Sequence, residues 1–183
     1  EGRRRTVCGI GRKAGHSTAV FLSAAGRDAR LVMFELGTFS YSQSAMSLLR
    51  ELFPEQIEFH IGDSRVTLPV YLARQRQAGR PRPCDLFSVD GDHSYAGVKA
   101  DLLTAIEATR AGGVIVLDDM KAGLGPRRAF EEHRATGLFS KVRCTENEEF
   151  RIPSIHRYDT TKMREQTMSW CFAWVAQSTT GTK

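Results

Sequence analysis

Five short apolar runs recur along the first two thirds of this chain, each stopping at a glycine or a carboxylate and each followed by a segment of helical spacing. That alternation restricts the fold more than any other feature. The runs span 6–10, 30–35, 56–61, 84–90 and 113–118, and their near-continuous apolar character suits strands of a parallel sheet covered on both faces. Between them, 16–25, 41–53, 94–110 and 126–134 read as helices, with a shorter one starting near Pro69, a residue suited to a first helical turn. The 41–53 segment carries Met46, Leu49, Leu52 and Phe53 as a stripe. The 94–110 segment puts Val98, Leu102, Leu103 and Ile106 on one face, opens at Ser94 as a candidate N-cap and is expected to end at Gly112-Gly113. Two later runs, 138–144 and 170–176, are expected to close the sheet edge as an antiparallel pair, with the polar stretch 145–168 between them a loop that could act as a lid. The expected fold is α/β and doubly wound.

A chain of 183 residues suits a single domain over 1–183 that buries its core without staples. Its 26 basic and 21 acidic residues leave a charge of +5, spread over short clusters such as Arg3-Arg4-Arg5 and Arg127-Arg128. No basic run carries interleaved aromatics, so a nucleic-acid partner is not indicated. Cys8, Cys84, Cys144 and Cys171 lie far apart without metal-ligand spacing, and three sit in apolar runs. They read as small buried hydrophobes in a reducing compartment, with cytoplasm the default. No apolar stretch approaches the ~20 residues of a membrane span, and no secretory signal opens the chain. The first run begins almost at once, so helices preceding it are expected upstream of Glu1.

The ends of the runs hold the chemistry. Gly9, Gly11 and Gly15 form a G-x-G-x-x-x-G turn leading into His16 and Ser17, where glycine allows close approach of a ligand and a helix start offers free N–H groups. The spacing is one residue longer than the dinucleotide fingerprint, which disfavours a nicotinamide cofactor. Glu35 follows Gly15 by 20 residues and closes the second run, where an acid in a nucleotide-binding α/β fold accepts from both ribose hydroxyls. Asp63 could accept from the exocyclic amine of a base or cap the next helix. Asp90, in Asp90-Gly91-Asp92-His93, and the pair Asp118-Asp119 are hard oxygen donors that suit Mg²⁺, Ca²⁺ or Mn²⁺. His93 could serve as a base or orient a substrate. Ser94 and Tyr95 read as capping and packing residues, and capping would explain Asp92 equally well.

Five motifs in order, the Gly9 to Ser17 turn, Phe34-Glu35-Leu36-Gly37, Ile61-Gly62-Asp63-Ser64, Asp90-Gly91-Asp92-His93-Ser94-Tyr95 and Gly112 to Asp119, resemble the class I S-adenosylmethionine-dependent methyltransferases. Within them the chain is most similar to the small O-methyltransferase-like branch with the Asp-Gly-Asp-His-Ser-Tyr motif. The resemblance implies a Rossmann-like, mostly parallel seven-stranded sheet with the antiparallel C-terminal pair at its edge. It places Gly9, Gly11, Gly15, His16 and Ser17 along the methionine and ribose side of S-adenosyl-L-methionine, Glu35 and Leu36 at the ribose, and Asp63 and Ser64 near the adenine. Asp90 would border the cofactor and, with Asp118 and Asp119, hold a divalent cation, Mg²⁺ by preference. Such a cation would bind and orient the hydroxyl of a small-molecule acceptor, with His93 as general base.

One position departs from the family pattern: Gly9 stands where relatives commonly carry an acid that helps hold the methionine part. The competing expectation is therefore a catalytically silent cofactor-binding or interaction domain of the same fold. The acceptor is not legible, and a homodimer is as open as a monomer.

Overall fold

The computed structural model describes residues 4–11, 15–153 and 163–177. Strands and helices alternate from β1 (Thr6–Ile10) through α1 (His16–Ala25), β2 (Arg30–Glu35), α2 (Ser42–Leu52), β3 (Ile57–Ile61), α3 (Ser64–Gln77), β4 (Cys84–Val89), α4 (Tyr95–Ala108), β5 (Thr109–Leu117) and α5 (Gly125–Arg134) to the hairpin β6 (Phe139–Pro153) and β7 (Met163–Val175). They build a seven-stranded sheet in the order β3-β2-β1-β4-β5-β7-β6. The first five strands are parallel, and β7 runs antiparallel to both β5 and β6. This is the doubly wound α/β sheet expected from the alternation, in the seven-stranded Rossmann-like form that the resemblance implies.

The topology explains the sequence pattern. Strand order reverses direction at β1, whose neighbours are β2 on one side and β4 on the other, so the loops after β1 and β4 part and leave a crevice at the carboxyl ends. One face of the sheet packs Phe34, Tyr71, Leu72, Phe87, Leu102, Ile115 and Phe130 into the larger core; Val7, Leu22, Leu31 and Met33 form a smaller one. β2 is buried from Leu31 to Glu35, and so shows no polar alternation. The α2 stripe is less deeply buried than its spacing implies: Leu49 is buried while Leu52 is exposed.

Four expectations are corrected. α3 starts five residues before Pro69, because Asp63 caps it by accepting from the Arg65 N–H at 2.9 Å. Pro69 then lies inside the helix, where a proline gives up one backbone hydrogen bond. Gly112-Gly113 belongs to β5, beside a register irregularity between Cys84 and Leu86 in the β4–β5 ladder, and α4 stops at Ala108. The polar stretch expected as a loop is mostly strand, paired from Glu148 with Met168 to Pro153 with Met163. β7 meets β5 between Cys171 and Trp174, so the outer part of the hairpin pairs with itself alone and needs no continuous apolar run. Any lid at 154–162 lies outside the described residues.

The cysteines are the fourth correction. Cys8 is bonded to Cys84 and Cys144 to Cys171. β1 and β4 are neighbours although their cysteines are 76 residues apart in sequence, and Cys144 faces Cys171 directly across β6 and β7. Strand adjacency, which sequence spacing hides, creates both pairs. Burial of the cysteines is therefore no argument for a reducing compartment. Among the described residues no helix is long and apolar enough to cross a membrane.

Candidate functional site

The crevice at the carboxyl ends of β1, β2 and β4 holds a cavity of about 350 Å³. That size is within the range of small-ligand pockets. Gly11 and Ile10 come to it from β1; Phe34, Glu35, Leu36, Thr38 and Phe39 from β2 and its loop; Asp63, Ser64 and Arg65 from the start of α3; Asp90 and Asp92 from the loop after β4. Gly11, Glu35, Leu36, Asp63, Ser64 and Asp90 are thus brought together as expected. Gly9, Gly15, His16 and Ser17 are not among the lining residues. Gly9 is buried within β1, paired with Met33 and Ser88, while His16 and Ser17 are exposed on the first turn of α1.

Backbone geometry brings the walls close. Gly11 has φ of 70°, and a Cβ there would lie 1.9 Å from the Asp90 carbonyl oxygen. Only glycine lets the β1 turn rest against the β4 loop in this way. On β2 the Glu35 carboxylate is 7% exposed, and its Oε1 accepts from the Gly37 N–H at 3.4 Å. A buried carboxylate at the mouth of an apolar wall offers several acceptor sites, of which the Gly37 N–H uses one.

The far end of the cavity is rich in carboxylates. Asp63 both caps α3 and pairs with the Arg65 guanidinium at 2.6 Å, and that side-chain hydrogen bond leads the effects holding its pKa below the usual carboxylate value. Asp92 accepts from the Ser94 N–H at 2.9 Å and its hydroxyl at 3.0 Å, and the backbone bond is the main cause of its lowered pKa. Ser94 in turn caps α4 by accepting from the Gly97 N–H at 3.0 Å. Tyr95 packs toward α5, donating to Glu132 at 2.6 Å.

Asp101 is the site residue that motif reading missed. It lies on the inner face of α4 with Val98, Leu102 and Ala105, is 5% exposed, lines the cavity, and accepts from the Ser64 hydroxyl at 2.7 Å. An acid in the apolar stripe of α4 was the available signal. Burial pushes its pKa up; the Ser64 hydrogen bond opposes that rise, while Asp92 and Asp63 add to it. Raised in the folded state, this group stabilises the protein below the unfolded pKa and loses that contribution as pH rises through the folded value. Asp101→Asn should therefore gain on the wild type as pH rises. We expect the melting temperature of the wild type minus that of the variant to decline steadily from the acid side of the window upward, in a calorimetric pH series.

Beside the cavity, His93 stands between two carboxylates. Its Nε2 is 3.3 Å from Asp90 Oδ1, and its Nδ1 contacts Asp119 Oδ2. Asp119 has a left-handed φ of 54°, and its N–H donates to Asp118 Oδ1 at 2.8 Å. Among the described residues no three His, Cys, Asp or Glu side chains gather as a metal-holding group. The expected ligand trio is not assembled: the imidazole occupies the space between Asp90 and Asp119, and an oxygen of Asp118 is committed to the backbone.

Residues 8–120 match a protein family described as a methyltransferase domain. A comparison with curated protein sequences gave no match. Among solved structures, an S-adenosylmethionine-dependent O-methyltransferase from Thermotoga maritima superposes with a TM-score of 0.67 at 14% identity, covering 97% of this chain. The chain spans 61% of the length of that protein. An O-methyltransferase of tomaymycin synthesis from Streptomyces achromogenes, solved with S-adenosylmethionine, gives 0.60 at 23% identity, over 94% of this chain and 74% of its own. Precorrin 8w decarboxylase from Methanobacterium thermoautotrophicum gives 0.63 at 19%, over 94% and 82%. At these identities the likeness concerns the fold.

Proposed function

Because the chain belongs to the methyltransferase-domain family, we propose that it is an S-adenosylmethionine-dependent methyltransferase acting on a hydroxyl of a small molecule. The observation that carries this reading is the single cavity joining Gly11, Glu35, Ser64 and Asp90, with His93 in contact with Asp90 at its edge. Its residues fit the cofactor: a buried acceptor for ribose hydroxyls, apolar walls from Phe34, Leu36 and Phe39, and acceptors at the far end for an amino group. The bound cofactor supplies an electrophilic methyl group on a sulfonium sulfur. Oxygen as the acceptor atom rests on His93 beside Asp90, a group able to take a hydroxyl proton.

In this reading Glu35 binds the ribose, and Asp63 and Ser64 receive the adenine edge. His93 would take the acceptor's hydroxyl proton at Nε2, the nitrogen that faces Asp90, with its own ring proton on Nδ1 toward Asp119, while the bound cofactor would supply the methyl group. Asp119 holds the opposite ring nitrogen of His93 and fixes the ring. Asp90 stands between the cofactor cavity and the base. Mg²⁺ is separable from this scheme: the donor set as arranged does not fit it, and no step runs through it. Turnover is accordingly expected to persist in excess chelator, measured on any hydroxylated acceptor found by screening.

Isothermal titration with S-adenosylhomocysteine tests the core of the proposal. Saturable one-to-one binding is the expected result, and a folded sample that takes up no ligand at millimolar concentration overturns it. Binding without turnover on a broad panel of hydroxylated acceptors would instead favour a silent cofactor-binding domain, a reading motivated by Gly9 where an acid is common.

A further inference from the structure

We infer that Asp101 is a positioning residue that fixes the hydrogen-bonding polarity of Ser64, so that the far end of the cavity selects a 6-amino purine over a 6-oxo purine. The inference rests on the cofactor reading above. A serine hydroxyl has one hydrogen to donate and lone pairs that accept. Here the hydrogen is directed to Asp101 Oδ1 at 2.7 Å, which leaves lone pairs for the cavity. The two residues sit at the start of α3 and on the inner face of α4, so the bond joins two helices within the cavity wall.

The arrangement is held on both sides. A Cβ on Gly91 would lie 2.9 Å from Asp101 Oδ2 and 2.8 Å from Ile10, so the β4 loop packs closely over the second carboxylate oxygen. Turning Ser64 to donate into the cavity would strip a 95%-buried carboxylate of this hydrogen bond, a costly loss. The neighbouring side chains reinforce the polarity: Asp63 and Asp92 are lowered-pKa carboxylates that accept, and the Arg65 guanidinium is engaged by Asp63. A ligand edge with an N–H donor meets acceptors there. A carbonyl facing the Ser64 hydroxyl meets lone pairs, the Arg65 guanidinium being turned to Asp63 through Nε and Nη2.

The test compares S-adenosylhomocysteine with S-inosylhomocysteine, its 6-oxo counterpart, by calorimetric titration of the full chain. The wild type should bind the amino form about 30-fold more tightly, as expected when acceptors placed for the 6-amino donor meet a carbonyl, the N1–H that the 6-oxo ring keeps lying at the neighbouring ring position. Asp101→Leu frees the Ser64 hydroxyl to donate, and Ser64→Ala removes its lone pairs; each should narrow the ratio by about tenfold. Asp101→Asn, whose amide oxygen can still accept, should keep most of it. Asp101→Ala takes the place of Asp101→Leu if that variant does not fold, and an unchanged ratio in it overturns the inference, since Ser64→Ala reports on Ser64 whatever orients it. Were both nucleosides to weaken in parallel at constant ratio, Asp101 would be a structural tie between α3 and α4 and the inference would fail. Amino-form binding without preference in the wild type sinks this inference alone, whereas no binding of either sinks the cofactor reading with it.

Discussion

Gly11→Ala should give a protein that no longer binds S-adenosylhomocysteine measurably and melts about 10 °C lower than the wild type. Two costs add at this position. A left-handed φ costs an L-residue about 1–2 kcal/mol. The new methyl would also sit 1.9 Å from the Asp90 carbonyl oxygen and 2.6 Å from the Gly91 Cα, so backbone must move, at about 1–3 kcal/mol. Together these reach about 3 kcal/mol, a sizeable part of the 5–15 kcal/mol typical of a domain. The movement needed is the parting of the two loops that form the cavity, which is why binding and stability should fall together. Gly26→Ala is the control, since Gly26 has φ of 89° but nothing within 4 Å of its missing Cβ. With ψ of 173° it should cost about 1–3 kcal/mol and leave binding intact. Thermal melts and titrations of the two variants side by side check both parts.

Glu35→Gln should separate affinity from stability. The carboxylate is 7% exposed at the end of β2, and burying a charge is expensive even where hydrogen bonds compensate. Replacing it with a neutral amide of the same shape keeps an oxygen for the Gly37 N–H, so the melting temperature of the ligand-free protein should fall only slightly. Binding should fall much further. A charged acceptor facing two ribose hydroxyls contributes about 1.5–3 kcal/mol per hydrogen bond, so losing the charge should weaken S-adenosylhomocysteine by about 100-fold. Equal affinity in the variant would remove Glu35 from the cofactor site.

These two positions were legible for different reasons. Glu35 stood at the end of an unbroken apolar run, and β2 is buried up to that residue, so its placement followed from strand length alone. Gly11 stands in a glycine-spaced turn, but the contact that makes it indispensable comes from Asp90, in a loop far off in sequence. The failures share that cause. Local preference favours Pro69 as a helix start, whereas Asp63 caps a helix that starts five residues earlier. Gly112-Gly113 has the local character of a helix stop, although the strand that includes it pairs with β4. Asp101 carries no local motif, and its role exists because α3 brings Ser64 to it. Asp118 and Asp119 were grouped by adjacency, yet the turn between them points one oxygen at the backbone and lets His93 stand between Asp119 and Asp90.

The Cys8–Cys84 bond has a consequence for how the crevice assembles. Gly11 lies three residues beyond Cys8, and Asp90 six beyond Cys84, so the two loops that touch are distant along the chain but near neighbours through sulfur. Bringing chain ends together costs entropy that grows with the length between them. In the oxidised chain most of that search is already over before any strand forms, and the contact between the β1 turn and the β4 loop behaves as a local one. The ligand crevice, which in an open chain would depend on long-range encounter, becomes a short-circuit in the topology.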